Sequence, residues 1–201
     1  MPDSPTMHLL RLPALLCAFA SAALAHPLPE IPVRTDFDGA GGCVVRIEID
    51  PRSFEADPNT TPSLTKADFD LTPELQKAEM KKKAAEYIHR AVKWQFDPAG
   101  AFKPEFTFTF SGQDGKALEH GEDVVVLSGV WSGKMPAGAT GYSFSASKEG
   151  TLAVVLHHTV KGMPVERFQV LFPGESSYVL DLASWQPRTP APPVITAPEE
   201  K

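Results

Sequence analysis

The amino-acid sequence predicts a mainly β fold: an antiparallel β-sandwich of about seven or eight strands with one inserted α-helix. Three observations carry this expectation. Apolar and polar residues alternate with period two in short stretches from Cys43 to Leu182. Turn signals separate those stretches at close spacing: Gly112-Gln113-Asp114-Gly115, Pro136-Ala137-Gly138, Glu149-Gly150, Lys161-Gly162 and Pro173-Gly174. Only the segment following Thr72 has a convincing helical period.

The first element is an address rather than part of the fold. Met7 to Ala25 reads as a secretory signal peptide, with basic Arg11, an apolar run over Leu12–Leu24 and Ala23-Leu24-Ala25 as the cleavage site. The run is too short for a stable membrane anchor. Cleavage after Ala25 makes His26 the first residue of the mature chain. Leu16 precedes Cys17 where a lipid-attachment motif needs a small residue, so Cys17 reads as one more apolar residue of the signal. The expected organisation is a signal peptide over 1–25, the β-sandwich domain over 26–183 and a Pro-rich disordered tail over 184–201.

Pro27, Pro29 and Pro32 predict an extended N-terminal arm. The first strand runs from Cys43 to Asp50, with apolar residues at odd positions and Arg46, Glu48 and Asp50 opposite. In the helix, Thr72 is the expected N-cap, Pro73 the first helical residue and Glu74 a first-turn acid. Leu75, Ala78, Ala85, Ile88 and Val92 fall near one face, and Lys81-Lys82-Lys83 reads as a solvated surface. Helix should give way to strand near Arg90. Phe106, Phe108 and Phe110 then alternate with hydroxyl residues. Asp123 to Trp131 reads as a central strand, followed by strands around Phe144, Val154, Val170 and Leu180. At Lys161-Gly162, matching of faces favours a three-residue loop pairing Val154 with Phe168 over a two-residue turn pairing Val154 with Gln169. The expected core therefore includes Phe106, Phe108, Phe110, Val154, Phe168, Val170 and Leu180.

Composition limits the function. Removing residues 1–25 leaves roughly 175 residues, one domain by length. The net charge of −6 is unchanged by the cleavage, since Asp3 and Arg11 leave together. This acidic balance argues against a nucleic-acid partner. No further apolar run is long enough for a transmembrane helix. Cys43 is the lone mature cysteine and opens an apolar strand pattern, which reads as a small buried residue.

The histidines are the best candidates for chemistry. At a mature N-terminus, His26 offers an α-amine and an imidazole that together chelate copper or nickel. A further ligand is needed, and His158 is the candidate, with His157 on the opposite face of the same strand. A histidine at a strand end is more often a structural hydrogen-bonding group, and that reading stands beside the metal one. Asp36-Phe37-Asp38-Gly39 is a fragment of a calcium-loop pattern without its third acid. Glu48 and Asp50 share a polar strand face. No G-x-S-x-G elbow, phosphate loop, dinucleotide fingerprint or zinc-binding cysteine pattern occurs.

Ala25-His26-Pro27-Leu28, Arg46-Ile47-Glu48-Ile49-Asp50 and the stretch from Phe168 to Glu175 give the chain a family likeness. In organisation, most of residues 26–183 resembles the extracytoplasmic N-terminal domain of HupE/UreJ-type permeases, a family regarded as nickel or cobalt carriers. The family's transmembrane helices have no counterpart in the sequence, so the likeness implies an envelope domain and not transport. The expectation is a secreted accessory or interaction domain without enzymatic activity, periplasmic or extracellular, engaging an envelope protein or ligand. The alternative is metal binding or delivery through His26.

Overall fold

Eleven strands and two α-helices make up the computed structural model, which describes residues 29–165 and 167–184. The expected signal segment, His26 and the Pro-rich tail beyond Ser184 lie outside the described residues. The strands are β1 (Ile31–Phe37), β2 (Gly42–Ile49), β3 (Val92–Asp97), β4 (Gly100–Phe102), β5 (Thr107–Ser111), β6 (Val126–Lys134), β7 (Gly141–Ala146), β8 (Val154–Val160), β9 (Met163–Pro164), β10 (Gln169–Leu171) and β11 (Leu180–Asp181). Helices α1 (Lys66–Leu71) and α2 (Glu74–Ala91) lie between β2 and β3. The excess over seven or eight strands comes mainly from two- and three-residue pieces, β4, β9 and β11.

The strands form two sheets in a sandwich-like arrangement. The larger has the order β10-β8-β1-β2-β6-β5, with β9 added to β8; the smaller has the order β11-β7-β3-β4. All named pairs are antiparallel except β1 with β8. The core lies between the sheets. Phe37 on β1 meets Tyr142 on β7 edge-on at 5.1 Å, and Trp131 on β6 meets Phe102 on β4 at 4.7 Å. Alternation in β2 does what period two requires: Cys43, Val45, Ile47 and Ile49 are buried, while Arg46 faces out. Close packing shows at Gly129 on β6, where an added Cβ would meet Phe108 Cε1 at 2.7 Å and Ile47 Cγ1 at 2.8 Å.

Four expectations need correction. The N-terminal arm is extended, but residues 31–37 form β1, an inner strand of the larger sheet. Pro32 is tolerated there for a geometric reason. Ile31 donates its N–H to Ala153 O on the β8 side, so the next residue's nitrogen points toward β2. The β1–β2 ladder begins only at Val33 opposite Ile47, and no bond is lost at Pro32.

The second correction is at the helix start. Thr72 caps the C-terminus of α1, its N–H going to Phe69 O, and Pro73 is the N-cap residue of α2 without a side-chain bond. The unexpected α1 begins at Thr65, whose Oγ1 accepts from Asp68 N at 3.3 Å.

Third, the apolar face of α2 is rotated from the expected one. Ile88 is buried as expected, with Ala84, Tyr87 and Ala91, but Leu75 is 83% exposed. The buried residues of α2 all lie in its C-terminal half, with Met80 partly buried against the core. The helix-to-strand change near Arg90 is as expected, with α2 ending at Ala91 and β3 starting at Val92.

Fourth, the β8 hairpin turns through two residues. Val160 pairs with Met163, and Lys161 and Gly162 both have positive φ, 53° and 75°. That is the type I′ geometry whose twist suits a hairpin. Two extra residues between Val165 and Gln169 then shift the register, so Val154 pairs with Leu171. Leu171 fills the core position expected for Phe168. Phe168 is 66% exposed and Val170 42% exposed, on the other face.

Candidate functional site

On the outer face of the larger sheet, side chains line up in rows set by register. One row runs from β8 to β6 through His157, Arg34, Arg46 and Val130. Phe168 extends it past the edge, its ring stacked on His157 at 6.4 Å with a 16° angle. The next row brings Val170, Val155 and Pro32 together. Aromatic and aliphatic surface thus borders a charged centre.

That centre contains two arginines directly opposite each other, Arg34 on β1 and Arg46 on β2. Like charges in that relation destabilise a sheet. Carboxylates on the flanking positions offset the repulsion. Arg34 donates from Nη1 to Glu48 Oε1 at 3.1 Å and from Nη2 to Asp114 Oδ1 at 2.5 Å. Arg46 donates to Asp36 Oδ2, and Asp36 Oδ1 accepts from Thr159 Oγ1 at 2.5 Å. The backbone N–H of Asp114 donates to Glu48 Oε2 at 3.1 Å, which ties the turn Gln113–Gly115 onto the sheet. Asp114 holds φ at 59°, a left-handed conformation that aspartate adopts more readily than most side chains.

The turn divides the face into two grooves that share Arg34, Glu48 and Asp114. One, of about 500 Å³, continues over Arg46, Ser128 and Val130. The other, of about 330 Å³, runs past Pro29, Pro32, Val155 and His157 to Asp50 and Arg52. The Asp50–Arg52 pair is buried. Arg52 Nε and Nη2 both donate to Asp50 Oδ2, at 2.8 and 2.6 Å, and Arg52 N donates to Oδ1 at 2.9 Å.

The residues singled out in the sequence separate across this geometry. His157 and His158 point to opposite faces, as strand alternation requires: His157 is exposed in the groove, and His158 is 6% exposed in the core, edge-on to Tyr142. His158 Nδ1 has no hydrogen-bond partner among the described residues. Burial, with the neighbouring His157, lowers its pKa from 6.5 to about 4, so the ring is neutral at pH 7. Its expected metal partner, His26, lies outside the described residues. Among the described residues, no three His, Cys, Asp or Glu side chains are grouped to hold a metal.

Cys43 is buried, and burial with Asp36 and Asp38 nearby pushes its thiol up to about 12. It behaves as the small core residue its pattern suggests. In the calcium-like fragment, Asp38 Oδ1 accepts from Ala40 N and Gly42 N and so closes the β1–β2 turn, while Asp36 belongs to the arginine network. Glu48 and Asp50 do not act as a pair, because each is engaged by its own arginine.

Arg34, Asp114 and the outward-facing Phe168 went unanticipated. A signal for Arg34 existed: in Ile31-Pro32-Val33-Arg34-Thr35-Asp36-Phe37 the odd positions are all buried, an alternation hidden by Pro32. Among the described residues, no helix is long and apolar enough to cross a membrane. No family model and no curated protein matches the chain.

Proposed function

We propose that this protein is a non-enzymatic binding module of the cell envelope, and that it engages its partner with the outer face of the larger sheet. The observation that carries the reading is the row Phe168, His157, Arg34 and Arg46, with two opposed arginines kept in place by carboxylates. Exposed aromatic and arginine side chains are the types enriched in binding hot spots. Phe168, Val170 and Phe172, 60% exposed, supply the apolar part beside that network. The ordered signal over Met7–Ala25 supports export, and the resemblance to the permease domain agrees with that reading without assigning transport.

A photo-cross-linking amino acid placed at Val170, and separately at Glu79 on the exposed side of α2, tests the binding face in cells. Defined adducts at 170 and none at 79 are expected. Equal yields at both positions, or none at 170, refute the use of this face. N-terminal sequencing of the exported chain should read His26 first; an uncleaved Leu12–Ala25 segment refutes a released module.

A second reading, metal binding through His26, gains one geometric observation. Pro29 is buried and lines the same groove as His157. Three residues span at most about 10 Å, so this groove lies within reach of a chain beginning at His26. The geometry therefore favours His157 over the expected His158 as the second histidine. Copper and nickel calorimetry on a chain starting at His26 should show binding that is lost in His26→Ala and His157→Ala and kept in His158→Ala. Unchanged affinity with an N-terminal extension excludes the amine as a ligand.

A further inference from the structure

A pocket separate from the sheet face lies between the 3-10 turn Pro51–Phe54 and one stripe of α2. It is about 240 Å³ and is lined by Ser53, Phe54, Lys83, Glu86, Tyr87 and Arg90. It shares no residue with either groove of the outer face. Helical spacing explains the stripe: Lys83, Tyr87 and Arg90 stand four and then three residues apart and project from one side. The lysine run is thereby divided. Lys81 reaches over the Phe110 ring at 5.3 Å, whereas Lys83 lines the pocket.

Two features of the pocket stand out. Neither Lys83 nor Arg90 has a carboxylate within ion-pair distance among the described residues, although the chain is acidic overall. Arg90 sits over the Tyr87 ring at 5.8 Å, and Tyr87 is itself buried, with its hydroxyl 3.4 Å from Thr151 Oγ1. The second feature is Ser53. It is 8% exposed, and its Oγ has no hydrogen-bond partner among the described residues. A buried hydroxyl without a partner is costly, and such a group in a native fold marks a missing polar neighbour.

We propose that this pocket binds a tetrahedral oxyanion, a phosphate or sulfate group. Lys83 and Arg90 supply the charge, and the Ser53 hydroxyl donates a hydrogen bond. Glu86 on the rim opposes the anion and limits affinity. The volume lies below the range of about 300–1,000 Å³ usual for drug-sized ligands, which fits a bare ion or the end group of a larger molecule.

NMR titration of the whole chain with sodium phosphate, at ionic strength held constant with sodium chloride, tests the site. Saturable shifts are expected at the Ser53 and Phe54 amides and the Arg90 side chain. Lys83→Met and Arg90→Met should each weaken binding about tenfold, the loss of one charge-assisted hydrogen bond. Glu86→Gln should tighten binding, a change of opposite sign that misfolding does not mimic. All three positions are exposed, so the fold should survive each substitution. Ser53→Ala should weaken binding while leaving the fold intact. Methyl phosphate serves as the second arm: binding as tight as that of phosphate identifies the end group of a larger ligand, and markedly weaker binding identifies the free ion. Shifts that do not saturate, shifts that sodium chloride alone reproduces, or a Glu86→Gln affinity no tighter than wild type overturn the proposal.

Discussion

His158 shows how one residue couples burial to pH. Its folded pKa, near 4, lies below the 6.5 of an unburied imidazole because burial disfavours the charged ring. The unfolded chain therefore binds the proton first as pH falls. The contribution of neutral His158 is complete above pH 6.5 and is lost progressively as pH drops toward 4, up to about 3 kcal/mol. Urea unfolding between pH 4 and 7 should show stability falling with acidity, and His158→Gln should flatten that dependence. An identical pH dependence in both proteins sinks this account. Gly129 makes a second prediction at this scale. A Cβ added there would stand so close to Phe108 and Ile47 that Gly129→Ala forces repacking, expected to cost about 1–3 kcal/mol in the same unfolding assay. Residue-level burial was readable where alternation is clean: His158 shares the face of Leu156 and Cys43 that of Val45, and both are buried. The closeness of Gly129 to Phe108 was not readable, because it depends on two strands meeting across the sheet.

Among the elements, β10 separates pattern from register. Phe168, Val170 and Phe172 alternate as cleanly as any core strand, and the sequence placed Phe168 and Val170 inside. The two-residue turn at Lys161-Gly162 instead turns that set outward, and two added residues before Gln169, which leave the parity unchanged, bring Leu171 opposite Val154. The parity of a strand is local, but which parity faces the core is set by a partner and the turn between them. Leu171→Ala should accordingly cost about 2–5 kcal/mol, and Phe168→Ala less than about 1 kcal/mol. Chemical denaturation of the two variants decides; a larger loss for Phe168→Ala would restore the core position first expected for it. Helix α1 was legible in principle, since Thr65-Lys66-Ala67-Asp68 has the spacing of a capping box. At six residues it is too short to carry the repeated apolar stripe that marks a longer helix such as α2.

For the whole molecule, the fold class was legible and the candidate site was not. Alternation and turn spacing are repeated many times along the chain, so a sandwich follows even when single strands are misassigned. The row of His157, Arg34 and Arg46 depends on β1 lying between β8 and β2, a relation between distant segments that periodicity does not carry. The same distinction separates the charged groups that support folding from those available for binding. Asp50 and Arg52 are buried together, with side chains 10% and 7% exposed. Asp50→Ala leaves a buried guanidinium without its partner and should cost about 3–5 kcal/mol. Asp114 is exposed and the Arg34 side chain is 39% exposed, so water screens much of their attraction. Arg34→Ala should change stability by less than about 1 kcal/mol while lowering cross-linking from position 170. Unfolding and cross-linking measured on the same Arg34→Ala protein test both halves of this expectation. A large loss of stability would make the outer-face network a structural brace, and unchanged cross-linking in a stable variant would remove Arg34 from the binding surface.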